Sequence, residues 1–376
     1  MSYALSMDYE TQVPTLRRIL ATSQKTQWLV DDIDWAHVLA EGSYDKILEW
    51  QGALRSTYVL RLPPKKKEQL ARQFVAFDFS QILHGEQSAM MLAAQLVNCV
   101  EDLDAKIYAS TQVKDEARHV ESIRKLVRRI GPIYDVGPVL RDTINLLLNC
   151  QLWPKQVLGL QLFLEARALL SFRQHMLFVE DPVFRDVVQN IERDESQHVA
   201  FGVQYIARGI DAMRPEQREE IIQYGVWLDN NIWSMTRSNE YRAVFEECDL
   251  DFDEFQASYL LPSFLRPSLG GRAETAKSVD RMHDQFHRWF YGALHRVGLT
   301  EVIERRLGRP VTPADMGPQA ADGLPWVARE VQGRAPEAAP AVEAGPEVAA
   351  VEPAQAPARP VKRRAKRGAP ASRRSR

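Results

Sequence analysis

At 376 residues, with 45% apolar and 26% charged residues and a formal charge of −2, the chain has the make-up of a soluble globular protein. That balance excludes a collagen, a disulfide-stapled scaffold and a wholly disordered chain. Three cysteines without a C-x-x-C pair exclude a zinc ribbon as well, and they suit a reducing, cytoplasmic setting.

The N-terminus, MSYALSMDYE, lacks the basic-then-apolar order of a signal peptide. Helices are expected over residues 14–55, 65–100, 102–130, 139–179, 182–212, 216–247 and 274–297. Good helix formers fill these stretches, and Pro63-Pro64, Pro132, Pro138, Pro154, Pro182 and Pro215 punctuate them. Pro182 and Pro215 suit first-turn positions. The most apolar stretch, 144–164, is interrupted by Asn145, Asn149, Gln151, Lys155, Gln156 and Gln161, so no membrane span is expected. No run alternates apolar and polar residues, and no glycine-rich phosphate loop is present. The fold class is therefore all-α, with a four-helix bundle at its centre.

Four regions are expected. Residues 1–64 form an N-terminal helical extension, 65–215 the four-helix core, 216–333 helices completing the domain, and 334–376 a tail. The tail holds 13 Ala, 7 Pro and no aromatic residue among its 43 residues, too little apolar surface to offset ordering, so disorder is expected. Its charge is +6, which leaves −8 on the first 333 residues. Its basic end, RPVKRRAKRGAPASRRSR, suits contact with an anionic partner or simple solvation.

Two segments carry chemistry: Asp115-Glu116-Ala117-Arg118-His119 and Asp194-Glu195-Ser196-Gln197-His198. Each is D-E-x-x-H on a helix, where Glu and His three apart share a face and can reach one ion. Chance placement of the chain's 8 His gives far less than one such match. Glu86 lies 30 residues before Glu116, and Glu165 lies 30 residues before Glu195. That spacing is right for going up one helix and back down the next to the same height. Glu86, Glu116, His119, Glu165, Glu195 and His198 should thus meet at one level of the bundle. Four carboxylates balance two divalent cations, and each imidazole completes one coordination sphere. Asp115 and Asp194 are placed to orient the His of the opposite motif, and Glu192 to stand just outside the ligands.

Apolar neighbours of these ligands, Phe79, Leu83, Ala89, Met90 and Ala93 on one helix and Leu158, Leu162, Leu169 and Phe172 on another, should form core, some lining a dry cavity. His84 should point away from the ligands. The run Asp280, His283, Asp284, His287 suits an exposed amphipathic helix.

The runs LHGEQSAMM, TQVKDEARHVES and RDESQHVAFG, within residues 65–215, resemble the ferritin-like superfamily of di-iron carboxylate proteins. The branch resembled holds the small subunit of class I ribonucleotide reductase, multicomponent monooxygenases, acyl-carrier-protein desaturases and aryl-amine N-oxygenases. The resemblance implies a ferritin-like bundle with those six residues holding two Fe ions, Mn being an alternative. It implies O2 activation on a small organic or carrier-bound acyl substrate. Electrons would come from a ferredoxin or flavin reductase, and the partners include a second copy of the chain. The chain departs from the reductase pattern at Ile123, where a radical tyrosine is usual, and in its aromatic-free tail. It departs from the N-oxygenases at Ile191 and from the hydroxylases at Leu169. The expected function is a di-iron oxygenase of monooxygenase, N-oxygenase or desaturase type. Iron handling and radical generation are the alternatives.

Overall fold

Prolines open the long helices at positions where the missing N–H costs nothing. Pro64, Pro138, Pro182 and Pro215 each begin one. Asp181 caps the helix that Pro182 opens, its carboxylate accepting from the Val183 N–H at 3.1 Å. The same carboxylate accepts from Tyr44 Oη at 2.9 Å and from Arg129 Nη1 at 2.6 Å, tying the helix start to two other segments.

The computed structural model describes residues 5–10, 12–150, 152–232, 238–258 and 272–316. Its α-helices, in chain order, are α1 (Pro14–Lys25), α2 (Ile47–Trp50), α3 (Thr57–Arg61), α4 (Pro64–Cys99), α5 (Leu103–Ile130), α6 (Pro138–Leu148), α7 (Trp153–Val157), α8 (Glu165–Phe178), α9 (Pro182–Asp211), α10 (Pro215–Ile232), α11 (Arg242–Glu247), α12 (Phe252–Ala257), α13 (Arg272–Arg296) and α14 (Thr300–Leu307). A π-helical segment, Leu158–Leu164, joins α7 to α8. No strand occurs among the described residues, so the all-α class holds. Met1–Gly333 forms one compact unit. The tail expected over 334–376 lies outside the described residues.

The bundle is two helical hairpins. A short turn joins α4 to α5 and another joins α8 to α9, while α6 and α7 carry the chain across between the pairs. α4 packs along α5, α8 along α9, and α5 against α9. α1 lies on α5 and α9, α2 touches α4 and α8, and α13 packs on α8 and α9. No helix among the described residues is long and apolar enough to cross a membrane.

Two hydrophobic clusters fill the bundle, one toward each end. One holds Leu92, Leu96, Tyr108, Phe163, Phe201 and Ile206; the other holds Phe74, Phe79, Ile123, Leu126, Phe172 and Val187. On α4, α5 and α9 the change from one cluster to the other falls at a charged layer: Glu86, then Glu116 and His119, then Glu195 and His198. Apolar burial at both ends stabilises the fold and holds this layer dry.

Three expected helices differ in extent. The helix over 14–55 stops at Lys25, because the Asp32 side chain captures the Leu29 N–H at 2.9 Å in a 3-10 turn. Gly42 and Gly52 then take left-handed backbone with φ of 80° and 70°, which ends any continuous helix. The helix over 139–179 breaks between Leu148 and Trp153, where Pro154 suits only a new first turn. The helix over 216–247 becomes α10 and α11, with 233–237 outside the described residues.

Candidate metal centre

Each of the four bundle helices delivers its charged residues to one level. Glu86 comes from α4, Glu116 and His119 from α5, Glu165 from the first position of α8, and Glu195 and His198 from α9. All six are buried, and none exposes more than 5% of its surface. They form two sets of converging ligand atoms. Glu86, Glu116, His119 and Glu195 make one, and Glu116, Glu165, Glu195 and His198 make the other. Within each set the atoms lie within 4.8 Å of one another. Glu116 and Glu195 belong to both, as carboxylates that bridge two ions must.

The two imidazoles are related by the chain's internal repeat. His119 Nδ1 lies 3.2 Å from Glu86, 3.4 Å from Glu116 and 2.9 Å from Glu195. His198 Nδ1 lies 3.3 Å from Glu116, 3.3 Å from Glu195 and 3.8 Å from Glu165. Each ring turns its other nitrogen outward to the aspartate of the opposite motif. His119 Nε2 is 3.2 Å from Asp194, and His198 Nε2 is 3.6 Å from Asp115.

A single cation joins the two aspartates. Arg118 Nη2 donates to Asp115 and to Asp194, both at 2.7 Å. The segment after α1 closes this network. Gln27 Nε2 donates to Asp115 at 3.0 Å, and Trp28 Nε1 donates to Asp194 at 2.7 Å. The Trp28 ring also lies beneath the Arg118 guanidinium at 4.8 Å. Glu192, one turn before Glu195 on α9, is buried and ion-paired with Arg173 of α8.

A glutamine relay positions Glu165. Gln112 Nε2 donates to Glu165 at 2.6 Å and to Glu116 at 3.0 Å, and Gln161 Nε2 donates to Gln112 Oε1 at 3.1 Å. Gln161 sits in the π-helical segment, a feature that recurs at functional sites. Gly202 of α9 lets that segment approach: a Cβ there would stand 2.4 Å from Gln161 Cβ.

Burial and crowding set the proton affinities. Burial foremost, then the charge of Glu195, holds Glu86 well above the usual carboxylate range. Burial, with Glu195 and Glu116 adding to it against His198, does the same for Glu165. Burial works against both imidazolium ions, but the surrounding carboxylates outweigh it, and His119 and His198 are raised well above 6.5. Burial also opposes the ionised form of Asp115, yet the contacts to His198, Gln27 and Arg118 bring it down to about 2.

These residues fit a pair of metal ions on their own geometry. Glu116 Oε2 and Glu165 Oε2 are buried without a hydrogen-bond partner, in positions a cation would satisfy. Oxygen and imidazole donors of this kind suit Fe and Mn. Two Glu from one pair of helices and two Glu-x-x-His from the other is the ligand set of ferritin-like di-metal bundles.

The centre borders a cavity of about 220 Å³ lined by Glu86, Glu165 and Glu195 at one end. Ala89 is the one expected neighbour that lines it; Trp50, Ile82, Leu140, Leu160, Leu164 and Ala168 add to the apolar wall. Phe79, Leu83, Ala93, Leu158, Leu162, Leu169 and Phe172 pack in the core instead. His84 turns away from the centre to the Tyr134 carbonyl at 2.9 Å. In the 280–287 run, Asp284 pairs with Arg288 at 3.0 Å and His283 meets Gln174. The side chain of Asp280 lies outside the described residues.

Gln112 and Gln161 each precede Glu116 or Glu165 by four residues and so share its helix face, a spacing through which the sequence does carry their role. Gln27 and Trp28 carried no such signal, because nothing local ties 27–28 to residues near 115 and 194.

No protein-family model and no curated protein sequence matches the chain. Among solved structures the chain is similar to the dimanganese(II) NrdF of Streptococcus sanguinis, at 12% identity and a TM-score of 0.48, over 88% of this chain and 100% of that one. It is also similar to a variant of an R2-like ligand-binding oxidase with an aerobically reconstituted Mn/Fe cofactor. There the identity is 17% and the TM-score 0.40, over 73% of this chain and 95% of that one.

Proposed function

We propose that the chain is an O2-activating di-metal oxidoreductase that acts on a small organic or carrier-bound molecule held in the cavity. The observation that carries this reading is the pair of ligand sets sharing Glu116 and Glu195, buried and open to a cavity on the Glu86–Glu165 side. A storage protein needs a path for many irons but no apolar chamber beside the centre.

Glu86, Glu116, His119 and Glu195 would hold one ion, and Glu116, Glu165, Glu195 and His198 the other. Two redox-active ions held there would supply dioxygen binding and a two-electron change, the chemistry of a cofactor rather than of side chains. The protein's part is orientation, charge balance and exclusion of water. Asp194 accepts the outer proton of His119, and Asp115 stands as the charge facing the outer nitrogen of His198, so each ring is held with Nδ1 turned inward. Arg118 offsets the charge of those aspartates. Gln112 holds Glu165 and Glu116 by their Oε1 atoms and leaves Oε2 free to bind. The buried wall keeps bulk water from the reacting atoms. Turnover requires electrons from outside, so a ferredoxin or flavin reductase is the expected partner.

The test is to load the protein with Fe(II) without oxygen and then admit O2. The reading expects oxidation of two irons per chain and a transient absorption whose decay a small organic substrate accelerates. Continued oxidation of many irons per chain, with no substrate effect, would favour iron handling instead. A stable tyrosyl radical signal would favour radical generation.

A further inference from the structure

On the Asp78 side of the cavity stands a cation without a bonded partner among the described residues. Arg167 of α8 lines the cavity and makes no hydrogen bond or ion pair with any described residue. The acid whose charge it feels is Asp78 of α4. That carboxylate is already occupied: it accepts from Gln51 Nε2 at 2.7 Å, from His175 Nε2 at 3.2 Å and from Tyr241 Oη at 3.2 Å. The unused capacity at this end is therefore donor capacity, five N–H groups in a planar fork that matches a carboxylate.

Between the two ends the wall is mostly apolar, with Gln81 and Ser171 as its polar members. Asp78 and Glu86 stand eight residues apart on α4, about 12 Å along the helix axis. Ile82, Leu140, Leu160, Leu164 and Ala168 line the cavity between the ends, and a Cβ added at Gly85 would meet open space. A molecule matching this chamber has an anionic head and a short apolar body.

We propose that the cavity takes a small organic carboxylate, its head held by the Arg167 guanidinium and its hydrocarbon part directed toward Glu86 and Glu165. This names the substrate class of the oxidoreductase proposed above and rests on that reading for the fate of the bound molecule. The binding itself depends on Arg167 alone. Arg167 is a positioning residue here: it sets which carbon faces the centre.

The probe is hexanoate against hexanamide, which share shape but not charge. Binding is measured by calorimetry on the full metal-loaded chain without oxygen, with the metal content of every sample recorded. The native chain should bind hexanoate at least about tenfold more tightly than hexanamide. Arg167→Gln should bring that ratio to about one with metal content unchanged, and Arg167→Lys should retain part of it, since the charge remains without the fork. Equal binding of the two by the native chain would overturn the proposal. So would a preference for hexanoate that survives Arg167→Gln, because the anion would then be going to the metal ions. A chain that binds no ions yet shows Arg167-dependent hexanoate binding would overturn the metal reading and leave this one standing.

Discussion

Asp194 and His119 stand 3.2 Å apart although they belong to different D-E-x-x-H motifs on different helices. The chain's internal repeat thus interlocks, each motif supplying the outer partner of the other's imidazole. A metal-bound His depends on such a partner for its tautomer and ring angle. Asp194→Asn should therefore weaken metal binding by about 10–100-fold while Trp28 and Arg118 keep the local packing. Competition with a chelator of known affinity measures this. Unchanged affinity would mean that the aspartate does not orient the ligand.

Among the described residues Arg118 is the one cation bonded to both Asp115 and Asp194, and it is 8% exposed. Arg118→Met keeps the apolar volume but removes the guanidinium that two buried carboxylates share. A loss of about 3–5 kcal/mol in unfolding free energy is expected, the usual cost of stranding one side of a buried ion pair. Denaturant unfolding of the two chains gives the difference. A loss under about 1 kcal/mol would place those carboxylates in contact with water.

Metal uptake should depend on pH with a definite sign. Without ions, Glu86 and Glu165 hold protons more tightly than ordinary carboxyls, and His119 and His198 are raised above ordinary imidazoles. Each ion must displace such protons, so apparent affinity rises with pH and falls as the medium is acidified. About two protons should be released per ion near neutral pH. Calorimetry in buffers of different ionisation enthalpy counts them. Uptake without proton release would contradict the assigned protonation.

Asp115 carries the opposite linkage. Its folded value, about 2, lies below that of an ordinary aspartate, so its contribution to stability is present above the ordinary value and is lost as pH falls toward 2. Asp115→Asn should flatten the acid limb of the stability curve.

Gly85 separates cavity from stability. It lies within α4 and lines the cavity, with open space where a side chain would go. Gly85→Ala should raise stability by about 0.5–1 kcal/mol through the helix backbone. Gly85→Leu should fill the chamber and block substrate binding with metal content unchanged. Turnover that survives Gly85→Leu would put the substrate elsewhere.

The fold class and the level at which the six charged residues meet were legible because both depend on local periodicity. Glu and His three apart fall on one face of any helix, and thirty residues between Glu86 and Glu116 describe a hairpin whatever surrounds it. What closes the centre was not legible. Trp28 reaches Asp194 across 166 residues, and Gln51 reaches Asp78 from the end of a short helix that lies between two left-handed glycines. Those contacts are products of tertiary packing and leave no local pattern. The over-long helix expected for 14–55 failed for the same reason, since its residues are helix-compatible singly but serve as caps and turns. Arg167 leaves no mark in the sequence, since a lone arginine on a helix usually faces water, and only the cavity distinguishes it.

Glu86, Glu116, His119, Glu165, Glu195 and His198 should hold two metal ions. Metal analysis of the full chain beside Glu116→Ala and His198→Ala, with anomalous X-ray scattering to locate the ions, decides this. Two ions per chain, each between the residues of one ligand set, and their loss from Glu116→Ala, is the expected result. Two ions retained by Glu116→Ala and His198→Ala, or ions located elsewhere in the chain, would contradict it.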